Sequence, residues 1–72
     1  LASPVPAADD LVTLALIDLA RGQLTRAEDA LRRALYLQHG HAEAVDLLAA
    51  LLDQRGEVLG ARRLRSRAGA RA

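Results

Sequence analysis

Two histidines in one short segment, His39 and His41, are the residues whose types and spacing come nearest to a chemical site. Imidazole nitrogens are common zinc ligands, but a zinc site needs three or four protein donors. Glu43 is the nearest further candidate, and the chain contains no cysteine. The sequence therefore predicts a loop carrying two histidines, with no metal site and no cofactor.

No catalytic motif accompanies these histidines. The serines are Ser3 and Ser66 alone, and neither a glycine-rich phosphate loop nor a nucleophile motif is present. We therefore expect no catalytic residue and no enzymatic activity in this chain. Methionine is also absent, even at position 1, and we expect the chain to be a piece of a longer protein.

The basic residues are all arginines, a bias typical of GC-rich bacterial coding, and five of the ten lie between Arg62 and Arg71. Arginines on one helix can contact phosphates, but no aromatic residue is interleaved with them for stacking on bases. The apolar stripe beside them is narrow for a helix that lies on a membrane. We therefore favour a solvated polar face at the end of a helical stack. Binding to nucleic acid, an anionic surface or an acidic protein is the alternative.

Helices must position these groups, because 16 alanines and 15 leucines supply most of the apolar residues. Such a composition favours helix over sheet. Residues 1–7 contain Pro4 and Pro6 and predict an extended linker. Four helices are predicted over residues 9–21, 25–37, 42–55 and 58–68. The longest apolar stretch, residues 11–20, is about half of the ~20 residues that span a bilayer, so we expect no membrane span and a cytoplasmic location.

Local signals also predict how the helices begin and what they bury. Asp9 or Asp10 is expected to cap the first helix, and Thr25 with Glu28 forms a predicted capping box for the second. The predicted core consists of Leu14, Ala15, Ala27, Leu31, Ala34, Leu48, Ala49, Leu52, Ala61 and Leu64.

Small residues recur at an offset of 34 positions. Gly22 falls on Gly56, and the alanine pairs are Ala15 with Ala49, Ala27 with Ala61, and Ala34 with Ala68. A helix–turn–helix unit with this period is the signature of the tetratricopeptide family, which the chain resembles at these positions. The resemblance implies an all-α fold of two tandem repeats, residues 8–41 and 42–72. Their four antiparallel helices would form a short solenoid.

The ligand groove of tetratricopeptide proteins is lined by the first helix of each repeat. The positions that match in this chain are Asp9, Val12, Thr13, Leu16, Leu19, Glu43, Asp46, Ala50 and Asp53. This face is apolar in one half and acidic in the other, so the resemblance implies a protein or peptide partner, such as a basic or amphipathic helix. Alternatively, Val12, Leu16 and Leu19 only pack against neighbouring helices.

A second resemblance covers residues 30–68. The segments "RRALYL" and "GARRLRSRA" are similar to the repeat region at the C-terminal end of some bacterial chemoreceptor glutamate methyltransferases. This resemblance implies that methyl transfer from S-adenosylmethionine takes place outside this chain. The chain itself would dock the enzyme to a chemotaxis receptor or a signalling regulator.

Two other functions fit the same sequence. In the first, the apolar first helix pairs with its copy and forms a homodimer, which light scattering would detect. In the second, the arginine-rich helix binds nucleic acid or an anionic surface. That binding would weaken steeply with salt, because it depends on phosphate contacts.

Overall fold

The computed structural model describes residues 7–69, which form four α-helices and no β-strand. The helices are α1 (Ala8–Ala20), α2 (Leu24–Leu37), α3 (Ala42–Gln54) and α4 (Val58–Gly69). Consecutive helices pack on each other, α1 against α2, α2 against α3 and α3 against α4. The predicted all-α fold is confirmed, and every predicted helix end lies within one residue of the observed end.

Parts of the sequence-based description lie beyond these residues. Residues 1–6 of the predicted linker, and Arg71 of the arginine-rich segment, are outside the described part of the chain. The division into two 34-residue repeats stays a prediction. Within residues 7–69, no helix is long and apolar enough to cross a bilayer.

The same turn joins α1 to α2 and α3 to α4. Gly22 and Gly56 have φ angles of 76° and 83°, in the left-handed region that a Cβ atom disfavours. The N–H group of Gln23 donates to the carbonyl of Asp18 at 2.8 Å, and the bond at the corresponding residues 34 positions later has the same length. These bonds satisfy carbonyls that the helix end leaves open. The predicted glycine stops are confirmed.

The first helix begins at Ala8, one residue before its predicted start and ahead of both predicted cap residues. Ala7 is the N-cap, and the carboxylate of Asp10 accepts a hydrogen bond from the Ala7 N–H at 3.3 Å. The assignment of Asp9 or Asp10 as N-cap is therefore wrong. Because Ala8 is already helical, Asp10 occupies the third helical position, where a side chain can reach back to the cap residue.

The capping box predicted for α2 is also wrong. Gln23 is the N-cap of α2, and Thr25 lies inside the helix. The carboxylate of Glu28 instead binds Arg32 at 2.8 Å and also Arg55, which follows α3 directly. Charge-assisted bonds to two guanidinium groups are stronger than one bond to a neutral backbone N–H, which accounts for the orientation of Glu28.

Eight of the ten predicted core residues are buried. Leu64 is half-buried against the core. Leu14 was assigned to the core wrongly, since 47% of it is exposed. The reason is that, among the described helices, α1 has one main neighbour, α2, whereas α3 packs against both α2 and α4. The core also takes in residues that the prediction left out, namely Ala8, Leu11, Val12, Ala30, Ala44, Val45 and Leu51.

Candidate protein-interaction surfaces

The nine residues predicted to line a ligand groove lie on α1 and α3. We call them the α1/α3 face. Seven are exposed, namely Asp9, Thr13, Leu16, Glu43, Asp46, Ala50 and Asp53. Leu19 is half-buried against the core. The face therefore offers one large apolar side chain, Leu16, which is 42% exposed.

Val12 does not contribute to this surface. Only 2% of the residue is exposed, and it belongs to the core. The alternative that Val12 packs against neighbouring helices is therefore the correct one. Its counterpart 34 positions later, Asp46, is exposed, so the register places these two residues in different environments.

The acidic half of the face is partly neutralised from within the molecule. Asp53 accepts a hydrogen bond from Arg65 of α4 at 3.0 Å. Glu43 and Asp46 are exposed and form no ion pair with another described side chain. Because neither is paired with a described side chain, the negative charge of both carboxylates is available to a basic partner.

Asp9 connects α1 to the start of α3. Its carboxylate lies 2.5 Å from Nε2 of His41, the N-cap of α3. Nδ1 of the same ring accepts a hydrogen bond from the Ala44 N–H at 3.2 Å. Because Nδ1 accepts, Nε2 is the nitrogen that is free to donate to Asp9. His41 therefore caps α3 and ties it to α1, a role that the sequence did not predict for the histidine loop.

The two histidines have different surroundings. His41 is 9% exposed, whereas His39 is exposed. Among the described side chains, no group of three or more histidines, aspartates and glutamates comes close enough together to hold a metal ion.

A second surface was not predicted from the sequence. It is an open groove of about 550 Å³ between α1 and α2, which we call the α1/α2 groove. Its lining residues are Leu11, Leu14, Ile17, Asp18, Arg21, Thr25, Arg26, Asp29, Ala30 and Arg33. Leu14 and Ile17 are each 47% exposed there. The signal that could have revealed the groove is the apolar character of α1 on nearly all sides, which indicates cover beyond α2.

The groove combines an apolar wall on α1 with charged residues, among them Asp29 and Arg33 of α2, which form an ion pair at 3.2 Å. Leu11, Leu14 and Ile17 form an apolar wall. Asp18 and Arg21 lie at the end of α1, beside Arg26 of α2. Such a combination suits an amphipathic segment with an apolar stripe and charged residues beside it.

The arginines of α4 form a third surface. Arg62, Arg63, Arg65 and Arg67 are all exposed. Arg65 pairs with Asp53, which reduces the charge that this helix offers to an outside anion. The predicted polar end of the stack is consistent with this arrangement, and no ligand class follows from it.

Two known proteins resemble this chain over most of its length. It is 48% identical over 68 residues to the probable biofilm formation methyltransferase WspC of Pseudomonas aeruginosa. It is 45% identical over 63 residues to the protein of the same name in Pseudomonas putida.

The matches cover 94% and 88% of this chain but only 16% and 15% of the two relatives. The chain therefore spans about one sixth of the length of these two relatives. No profile of a known protein family and no solved structure matches it.

Proposed function

We propose that this chain is a non-catalytic protein-interaction module of a longer, chemotaxis-type methyltransferase that uses S-adenosylmethionine. Its role is to dock that enzyme to a receptor or a regulator. The observation that carries the proposal is the 48% identity over 68 residues to a protein named as a methyltransferase, of which the chain covers 16%. A segment of this size leaves most of such a protein for methyl transfer.

The arrangement of the polar side chains supports a binding role over a catalytic one. The contact between His41 and Asp9 caps α3 and links it to α1. Glu28 joins α2 to the end of α3 through Arg55. Each of these groups has a structural partner, so each contributes to positioning the helices.

The tetratricopeptide resemblance supports the same conclusion. The glycine turns at Gly22 and Gly56 share their geometry at an offset of 34 positions. Ala15 and Ala49, also 34 apart, are both fully buried. In that family, helical pairs with such spacing present a surface to protein partners.

The surface we assign to docking is the α1/α3 face without Val12. Leu16 supplies an apolar contact, and Glu43 and Asp46 supply negative charge that is not neutralised by described residues. A partner with a basic or amphipathic helix complements both features.

The test is equilibrium binding of the fluorescently labelled chain to two candidate partners from the organism that supplies the chain. One is the cytoplasmic fragment of a chemoreceptor, and the other is a response regulator. We expect saturable binding to one of them. Leu16→Glu should abolish it without changing the helix content measured by circular dichroism. Leu59→Glu is the matched control, because Leu59 is 66% exposed on α4, away from this face.

A charge arm makes the test sharper. Reversal of Glu43 and Asp46 to arginine should slow association with a basic partner, most clearly at low salt. The proposal fails if neither protein binds, if Leu16→Glu binds as well as wild type, or if the chain alone binds S-adenosylmethionine and transfers its methyl group.

A further inference from the structure

The α1/α2 groove has an apolar wall on α1 that the proposed docking face does not use. Among the described residues, it is lined by side chains of α1 and α2 and by Arg21 of the turn between them. Leu14 and Ile17 are half-exposed there. Ala15, which lies between them in the chain, is fully buried.

The molecule itself shows what covers such a face. The residues 34 positions after Leu14 and Ile17 are Leu48 and Leu51, which are 2% and 3% exposed. Helix α3 packs against α4 as α1 packs against α2, and α3 has α2 as an additional neighbour. The added burial of Leu48 and Leu51 therefore comes with a helix on the second side of α3. Helix α1 has similar apolar residues at these positions, and among the described residues no helix packs on this side of it as α2 packs on α3.

The charges at the helix ends follow the same correspondence. Arg55, directly after α3, pairs with Glu28 of α2. Arg21 is the equivalent residue directly after α1, and it is exposed at the edge of the groove. A helix that covered α1 as α2 covers α3 would bring an acidic side chain to Arg21.

We propose that the α1/α2 groove binds an amphipathic helix of a partner protein, and that this helix has the pattern of α2. The pattern is an acidic residue, then leucine three positions later and alanine six positions later, as in Glu28, Leu31 and Ala34. The acidic residue pairs with Arg21, and the leucine covers Leu14 and Ile17. The proposal goes beyond the docking role of the α1/α3 face and rests on the chain being an interaction module.

Stacking of a second copy through α4 fits this surface poorly. At the positions of Glu28 and Leu31, α4 has Arg62 and Arg65. The first would bring an arginine to Arg21, and the second would place a charge against the apolar wall. Like charges at an interface reject a partner.

The probe is a fluorescently labelled peptide with the sequence of residues 24–37, titrated with the 72-residue chain. We expect saturable binding that Ile17→Arg abolishes. Arg21→Glu in the chain, or Glu28→Arg in the peptide, should each weaken binding roughly tenfold, because an attraction becomes a repulsion. Combining the two reversals should restore most of the affinity. Arg62→Glu is the matched charge-reversal control, since Arg62 is exposed on α4. Arg55→Glu reports whether the peptide instead replaces α2 inside the chain.

Several results would overturn the proposal. One is peptide binding that depends on Arg55 and ignores Arg21, because the peptide would then be replacing α2 inside the chain. Another is sedimentation as a dimer that Ile17→Arg converts to monomer, because a second copy would then occupy the groove. Absence of binding by a chain that is folded by circular dichroism is the third. The proposed docking function is tested separately, because binding of the receptor or regulator is expected to depend on Leu16. A negative result for the groove therefore does not contradict the docking function.

Discussion

Helices α1 and α3 hold the same place in their hairpins but differ in how many neighbours they have. Ala15 and Ala49 are both fully buried, and the turns that follow the two helices have the same geometry. Leu14 is nevertheless 47% exposed, whereas Leu48 is 2% exposed. The residue pattern therefore determines which side of a helix is apolar. A neighbouring helix determines whether this side is buried.

The second helices of the two hairpins show the opposite difference. Leu31 of α2 is fully buried under α3. Its counterpart in α4 is Arg65, which is exposed and pairs with Asp53. The stack therefore ends in charged residues on the α4 side and, on the α1 side, in a groove with an apolar wall on α1. An additional helix would therefore pack on α1, not on α4.

The largest expected effect separates the two equivalent leucines. Leu48→Ala should lower the free energy of unfolding by about 2–5 kcal/mol, because it removes a fully packed side chain. Leu14→Ala, the same change 34 positions earlier, should cost about 1 kcal/mol, since roughly half of that leucine is already in water. Urea unfolding followed by circular dichroism measures both. Equal losses would show that α1 is covered as α3 is.

The caps of α1 and α3 provide a smaller contrast. Ala7 caps α1 with its backbone, whereas His41 caps α3 with a ring nitrogen. His41→Ala should cost about 0.5–2 kcal/mol, because the Ala44 N–H loses its acceptor. His41→Asn should recover much of that loss, since asparagine is a good N-cap. His39→Ala is the control and should be close to neutral. If the two histidine-to-alanine variants were equally stable, His41 would have no capping role.

The smallest effect concerns the arginines at the ends of the two helices. Arg55→Ala removes a bond to Glu28 and should cost up to about 1 kcal/mol, as expected for a partly exposed ion pair. Arg21→Ala should leave stability unchanged, because we assign Arg21 to a partner. Urea unfolding of both variants, followed by circular dichroism, provides the measurement. A larger loss for Arg21→Ala than for Arg55→Ala would reverse the assignment.

Local sequence signals were enough for the helices and their turns. Gly22 and Gly56 mark two left-handed stops, because only glycine adopts that conformation without steric cost. The alanines at an offset of 34 positions identified the buried contacts between helices. These predictions succeeded because each depends on residues close together in the chain or on one repeated spacing.

The cap of α1 is a local failure, since Asp10 binds the N–H of Ala7 three positions away. The other failures concern contacts between distant residues. The role of His41 depends on Asp9, 32 positions away, and the orientation of Glu28 depends on Arg55, 27 positions away. Neither pairing follows from the spacing within one helix. The predicted burial of Leu14 is wrong for a related reason. Its pattern indicates burial, but burial requires a helix that the described residues do not provide.

Methyl NMR spectra of the chain during titration with the peptide of residues 24–37 show whether the peptide binds on α1 as α2 packs on α3. The methyl groups to follow are those of Leu14 and Ile17 in the groove and those of Leu48 and Leu51 under α2. We predict that Leu14 and Ile17 shift with a common saturation curve, while Leu48 and Leu51 keep their positions. Saturable binding that leaves Leu14 and Ile17 unchanged, or that shifts Leu48 and Leu51 instead, would contradict the claim that α1 presents an open counterpart of the α2–α3 contact.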